Sequence, residues 1–369
     1  MRTASLLHYL AQRYEVDVLV FREPDAADPR EHVPPGLVRE MQVLDLPRHR
    51  RHLVARVLRN TGRLIRSVPP LMDRFSGFEN RIADLIRGRH YDLAVIEHFW
   101  CAPYHEHVAQ VADRTVLDLH NIESVLHAYC ARVEGRAVSA AHRRFCEACR
   151  ALERTWLPRF TWLLATSEQD AGRIREIAPA ARVQVFPNAI PSVPQPEKRE
   201  EHAIVFSGNL EYHPNVSAVR YFSREIWPDL REQWPGLIWR LVGKNPHAVR
   251  RFTSGDPRIV LSGSVPDAIV ELSRTKVAVV PILAGSGTRY KIMEAWAAGL
   301  PVVSTSLGAE GLPVRDGEHL LLADEPKEFN NAVSSLLRSP ELRSRLGRAG
   351  RCLYEREFTW EAVWNKLKL

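Results

Sequence analysis

The stretch 281–304, PILAGSGTRYKIMEAWAAGLPVVS, constrains the fold most. An apolar run over 277–283 leads into the glycine turn Gly285-Ser286-Gly287. A helical pattern follows over 288–298, and a second apolar pair, Val302 and Val303, closes the stretch. Strand, glycine-rich turn, helix, strand is a βαβ unit, and a βαβ unit commits the chain to a parallel sheet. The turn leaves helix N–H groups pointing outward, where phosphate binds readily. Arg289 and Lys291 fall in the first helical turn and Glu294 one turn further on. Two cations followed by a carboxylate suit a nucleotide diphosphate and its ribose.

The rest of the chain repeats this grammar. Apolar strands are expected at 16–21, 43–46, 92–98, 115–121, 160–167 and 183–186, with helices at 4–13, 53–65, 80–88 and 138–157. Continuous apolar strands alternating with helices indicate parallel sheets covered on both faces. Residues 187–202, PNAIPSVPQPEKREEH, hold four prolines and a charge cluster, which is linker chemistry. After them a fresh α/β pattern begins with AIVFSGNL. The 369 residues therefore divide into a first α/β domain over 1–188, a linker over 189–202, a second α/β domain over 203–345 and a C-terminal helix over 346–369. Two doubly wound Rossmann-type halves place a cleft between the carboxyl ends of their sheets.

Composition removes several classes. Five cysteines in a chain this long make no disulfide framework. Cys146 and Cys149 form a CxxC without a second pair at zinc spacing, so helix packing is expected and no metal site. No apolar run is long enough to cross a bilayer, and Arg13 and Glu15 interrupt any leader-like core, so a cytoplasmic protein is expected. The formal charge of +7 suits anionic small molecules or an anionic membrane face, and no aromatic-interleaved basic motif points to nucleic acid. The arginine-rich segment 48–66 carries Leu53, Val54, Val57, Leu58, Leu64 and Ile65 at helical spacing. It reads either as an interfacial helix on anionic lipid or as a helix packed on its own domain with a solvated basic face.

Candidate contacts cluster at strand ends. FSGNLEYHPN puts Ser207, Gly208 and Asn209 at a strand's carboxyl end, RLVGKNP puts Gly243, Lys244 and Asn245 after the next, and SGSVPD lends Ser264 and Val265 to a base. In the first half, His98 and His120 end apolar strands, where a neutral imidazole donates to a sugar hydroxyl or phosphate.

Taken together, FSGNLEYHPNVSAVRYF, LVGKNP, SGSVPD, GSGTRYKIMEAWAAGLPVVST and LDLHNIES resemble the family 4 glycosyltransferases, retaining enzymes of the GT-B fold, in their exopolysaccharide-type branch. The resemblance implies a nucleotide-diphosphate sugar as co-substrate without a separate cofactor or metal. It implies a glycan or small-molecule acceptor on the first domain; the basic segment 48–66 adds the expectation of a lipid-linked acceptor and peripheral contact with the inner membrane face. By the same resemblance Glu294 binds the ribose, the backbone of 289–291 holds the β-phosphate, and Gly287, Thr288 and Tyr290 belong to the donor site. His120, Arg289 and Lys291 serve the reaction, and the C-terminal helix crosses back onto the first domain. Two departures stand out. Ser286 occupies the place of the family's first motif glutamate, and no basic pair follows Phe206. Family members also begin with an apolar strand and a glycine-rich loop ahead of the first helix; this chain shows neither, and a longer natural protein is the expectation. The rival readings are a nucleotide-sugar 2-epimerase, which needs an acid and a base carboxyl at the sugar, and a non-catalytic sugar-nucleotide binder.

Overall fold

The computed structural model describes residues 2–48, 52–133, 135–197, 199–284 and 290–369. The chain forms two compact units that divide between Phe186 and Pro187.

The first unit carries two parallel sheets where the apolar pattern suggests one. Strands β1 (Asp17–Arg22) and β2 (Glu40–Asp45) pair with each other, and β3 (Ala94–Glu97), β4 (Thr115–Asp118), β5 (Trp162–Ala165) and β6 (Val183–Val185) form a four-stranded sheet in that order. Both sheets contribute to one core, in which Leu19, Phe21 and Leu44 join Ile96, Leu117 and Leu163. Helix α1 (Arg2–Ala11) precedes β1, and α2 (Leu53–Arg66), α3 (Pro70–Phe75) and α4 (Glu79–Ile86) lie between β2 and β3. Between β4 and β5 stand two packed helices, α5 (Glu123–Val133) and α6 (Arg136–Trp156), and α7 (Glu168–Ile177) follows β5. Cys146 and Cys149 are buried within α6, and burial pushes both thiols upward, so they are protonated packing groups.

The second unit is built on one six-stranded parallel sheet. Its strands are β7 (Ala203–Ser207), β8 (Ile238–Val242), β9 (Ile259–Gly263), β10 (Val277–Val280), β11 (Val302–Ser304) and β12 (Leu321–Leu322), in the order β12-β11-β10-β7-β8-β9. The chain starts in the middle at β7, builds outward through β8 and β9, then returns to lay β10 on the other side. That reversal puts a topological switch point between β7 and β10, where open α/β sheets leave a crevice at their carboxyl ends. Helix α8 (His213–Tyr221) follows β7, and α9 (Tyr290–Ala297) joins β10 to β11. The expected boundary at residue 346 falls inside a helix, α11 (Pro340–Glu357), which follows α10 (Pro326–Arg338). The helix read over FTWEAVWNKL is short, α12 (Trp360–Trp364), with the Thr359 side chain capping its N-terminus. Its Trp360 Nε1 donates to the Ala189 carbonyl within the same unit.

Candidate functional site

The carboxyl edge of β7 is closed by glycines that let neighbouring loops touch. Gly208 and Gly243 adopt φ of 143° and 146°, which side chains rarely adopt. A Cβ on Gly243 would overlap the carbonyl oxygen of Gly208, and one on Gly208 would sit 2.9 Å from Asn215 Nδ2. Backbone bonds extend the ladder through the turns, Gly208 N–H to Val242 O at 2.9 Å and Gly243 N–H to Gly263 O at 2.8 Å. The glycines are thus required by close backbone approach, which the sequence shows only as repeated turns.

Helix α9 brings its charged residues to this edge. Lys291 Nζ donates to Asn215 Oδ1 at 3.0 Å and stands 5.2 Å from the centre of the Phe206 ring. Asn215 itself is buried and donates to the Asn209 carbonyl at 2.8 Å, which fixes which of its ends faces the lysine. One turn along α9, Glu294 accepts from Ser207 Oγ at 3.4 Å. Burial raises the Glu294 carboxyl above its ordinary value, against the pull of Lys291. An ammonium and a carboxylate therefore flank the end of β7 at the switch point. Ser207 was read at this strand end together with Gly208 and Asn209; Asn215 was not singled out, and its available signal was a polar residue in the first turn of α8.

The other residues named from sequence divide as follows. Asn209 Oδ1 accepts from Asn245 Nδ2 at 3.2 Å, tying the loops after β7 and β8 together. Lys244 is exposed, and its carbonyl accepts from Leu210 N–H at 2.9 Å. Ser264 is exposed and Val265 half-buried in the loop after β9, two strands from the switch point. Tyr290 heads α9 and packs against the unit's core. Gly287, Thr288 and Arg289, together with Ser286, lie outside the described residues.

In the first unit, His98 and His120 meet, their ring centres 3.7 Å apart. His120 Nε2 lies 2.7 Å from Glu97 Oε2 and 3.4 Å from Asp118 Oδ2. Asp118 is fully buried and paired with Arg2, whose Nε donates to both carboxylate oxygens at 3.0 and 2.9 Å. Burial opposes charge on Asp118, but Arg2 and His120 outweigh it and hold the carboxyl down at about 2. Burial would lower the His120 pKa; its bonds to Asp118 and Glu97 prevail and raise it. His98 differs. Burial and the neighbouring His120 push it down to about 3, so its imidazole is neutral. It holds φ of 69°, a strained value for a non-glycine residue, and its buried Nδ1 has no partner among the described residues. Glu97, His98 and His120 each offer a ligand atom within 4.8 Å of the others, the one such set of three among the described residues, so a cation would fit here if anywhere.

Behind His120, Glu123 is buried and raised to about 8, by burial first and by Glu153 second. Glu153 is occupied at the start of α5, accepting from Ser124 N–H at 2.9 Å and Ser124 Oγ at 2.6 Å. A carboxyl whose folded pKa exceeds its unfolded value keeps a proton that the unfolded chain releases. Its contribution to stability is therefore whole at low pH and lost as pH rises from about 4.5 to 8. Glu123→Gln is expected to match the native chain near pH 5 and to exceed it by about 2 kcal/mol near pH 8. Thermal melts across that range check this; a gap that shrinks with rising pH contradicts it.

The chain is a doubly wound α/β protein whose second unit has a topological switch point between β7 and β10, flanked by Lys291 and Glu294. Residues 201–339 match the family model described as Glycosyl transferases group 1. Among curated proteins, the phosphatidyl-myo-inositol mannosyltransferase of Mycobacterium leprae is 30% identical over 146 residues, 38% of this chain and 39% of that protein. Spore coat protein SA of Bacillus subtilis is 32% identical over 77 residues, 20% of each chain. The matched stretches thus span 39% and 20% of these two relatives. Solved structures resemble the chain over nearly its whole length. Sucrose-phosphate synthase from Thermosynechococcus elongatus superposes with a TM-score of 0.72 at 17% identity, covering 98% of this chain and 90% of that one. Anabaena HepE, solved in complex with UDP, superposes with a TM-score of 0.65 at 13% identity, covering 99% and 94%. At such identities the likeness establishes the fold, the GT-B arrangement of two Rossmann-like α/β units.

Proposed function

We propose that the chain is a retaining, metal-independent glycosyltransferase, moving a sugar from a nucleotide-diphosphate donor to a saccharide, lipid-linked or small-molecule acceptor. The observation that carries the reading is the meeting of Lys291, Asn215, Glu294 and Ser207 at the switch point between β7 and β10. The reading is supported by the matched glycosyltransferase stretch, which spans this edge, and by UDP in the Anabaena structure of the same fold.

The chemistry follows from the charges. Two phosphates leaving a sugar need cationic and N–H partners already in place, because preorganised dipoles cost nothing to turn at the moment of reaction. Lys291 is held at 3.0 Å by Asn215 and is poised for the diphosphate; Glu294 takes the ribose hydroxyls. Arg289 joins Lys291 in this assignment on the sequence alone. The acceptor hydroxyl attacks from the face the diphosphate leaves, and the departing phosphate takes its proton, so no carboxylate base is required in the second unit. His120 is assigned to the sugar on the first unit's side. A cytoplasmic place, peripheral on the inner membrane face, belongs to the same reading.

Lys291→Met removes the charge and keeps much of the side-chain length. It is expected to lower kcat/KM about tenfold to a hundredfold, the loss of one charge-assisted contact to phosphate. The reading itself is tested by mixing the chain with UDP-, GDP- and TDP-sugars and a panel of acceptors. Nucleotide-diphosphate release that depends on acceptor, with the anomeric configuration kept, supports it; an inverted product overturns the retaining mechanism.

One observation favours a second reading. Glu97 and Glu123 are two carboxyls near His120, both raised by burial, and a nucleotide-sugar 2-epimerase needs an acid and a base carboxyl at the sugar. Sugar interconversion without acceptor is its signature in the same assay. Binding without turnover would mark a non-catalytic relative.

A further inference from the structure

Helix α2 is turned inside out. Its side facing the protein carries Arg63, which is buried and ion-paired with Asp73 at 2.8 Å. Its side facing solvent carries Val54, Val57, Leu58 and Ile65, exposed by 64%, 55%, 68% and 73%. Positions 54, 57, 58 and 65, with the exposed Thr61 among them, share one helical face. Leu71 on α3 and Val138 on α6, both neighbours of α2, extend the apolar surface. Of the nine large apolar side chains exposed among the described residues, these are six, so the exposure is concentrated and not scattered. Beside it Leu64, Ile65, Ala140, Ala141 and Arg144 line an open groove of about 510 Å³.

The charges around this face have one sign. No Asp or Glu occurs from residue 46 to residue 72, while seven arginines fall between 48 and 66. Arg63 and Arg66 share the single carboxylate of Asp73, which leaves a net positive charge at the helix's end. Arg144 caps the same end, its Nε donating to the Leu64 carbonyl at 2.6 Å. A packed soluble helix would put Val54 to Ile65 inward and arginines outward. Here Val54, Val57, Leu58 and Ile65 face outward, so the apolar stripe is not what packs α2 on its own unit.

We propose that α2 seats the first unit on an anionic lipid surface, with Val54, Val57, Leu58 and Ile65 among the headgroups and acyl boundary and the exposed Arg48 and Arg66 at lipid phosphates. An amphipathic helix of this length lies in the interface and does not cross it, and no helix among the described residues is long and apolar enough to span a membrane. A second copy of the chain is disfavoured as the occupant. A two-fold contact would set one arginine-rich helix against its twin, and like charges at short range repel. The inference rests on the peripheral placement proposed above and names the surface that makes it; its test does not depend on transfer activity, because lipid binding is measured directly.

The test is co-sedimentation of the full chain with vesicles of phosphatidylcholine alone and of phosphatidylcholine containing phosphatidylglycerol. Binding is expected only to the anionic vesicles and weakens as salt rises. Leu58→Asp with Ile65→Asp, both at exposed positions, should keep the melting temperature of the native chain and lower partitioning at least tenfold. Arg48→Glu with Arg66→Glu, both exposed, should lower it by a similar factor. Absence of binding by the native chain, or unchanged binding by the apolar double variant, overturns the proposal. So does a self-associated chain that ignores vesicles and is dissociated by Leu58→Asp with Ile65→Asp. Loss of transfer activity with vesicle binding intact would instead strike the proposed function and leave this inference standing.

Discussion

Replacing Glu294 by alanine is expected to weaken nucleotide-diphosphate binding by about 10- to 150-fold, while the unliganded chain stays at least as stable. A hydrogen bond to a charged group contributes about 1.5–3 kcal/mol, and each 1.4 kcal/mol is tenfold in affinity. Among the described residues Glu294 has one hydroxyl contact, Ser207 Oγ at 3.4 Å, and its carboxyl is raised by burial. Such a group is a liability without ligand, so its removal relieves strain that only a ribose diol would offset. The same geometry fixes the pH dependence. Because the folded carboxyl titrates above the ordinary glutamate range, it protonates early on acidification and stops accepting from two hydroxyls. Donor affinity should fall as pH is lowered through that raised value, and the fall should be absent in Glu294→Ala. Isothermal titration with UDP checks both; an alanine variant that binds as tightly as the native chain removes Glu294 from the site.

Gly243→Ala is the larger structural insult. Its φ of 146° strains any side chain, and the new methyl would overlap the Gly208 carbonyl. Backbone cannot rotate aside as a flexible side chain can, so the loops after β7 and β8 must part. That breaks the Gly208 N–H to Val242 O bond and shifts Gly208 itself. Overpacking of this kind costs about 1–3 kcal/mol and a strained backbone position about 1–3 more. A loss of about 3 kcal/mol lowers the melting temperature by roughly 6–12 °C for a unit of this size. Because a Cβ drawn on Gly208 would lie 2.9 Å from Asn215 Nδ2 and 3.5 Å from Lys291 Nζ, a shift of Gly208 reaches both side chains and donor binding should fall with stability. A melting temperature within 2 °C of native, read by calorimetry, contradicts the close approach.

Sequence reading recovered the sheets because parallel strands buried on both faces are continuous apolar runs, as in AIVFS and VAVV, all buried here. It lost helices whose pattern carries no contrast. The segment ESVLHAYCARV mixes polar and apolar residues around its circumference because α6 packs along it, and α5 was not foreseen. Helix α11 was read only from residue 346 and merged with α12, its start obscured by Gly347 and Gly350, which weaken a helix in isolation. Their reason is tertiary: a Cβ on Gly350 would strike the Trp296 ring, and one on Gly347 the Gly299 carbonyl. At the site, Lys291 and Glu294 were legible from their spacing on one helix. Asn215 and Ser207, which hold them, come from another strand and helix, and only the switch-point topology brings the two together. The meeting of His98, His120, Glu97 and Asp118 was half legible, as strand-end residues of neighbouring strands. Arg2, which neutralises Asp118, is 116 residues away and left no local signal.

The central claim, that the β7–α9 edge receives a nucleotide diphosphate, is tested most directly by melting the native chain and Glu294→Ala with UDP, GDP and TDP in turn. At a hundred times its dissociation constant a ligand adds about 2.7 kcal/mol to the folded state. One of the three nucleotides should raise the native melting temperature by several degrees and the alanine variant's far less at the same concentration. If none of them shifts the native chain at millimolar concentration, or if the variant shifts equally, the edge is not a nucleotide site.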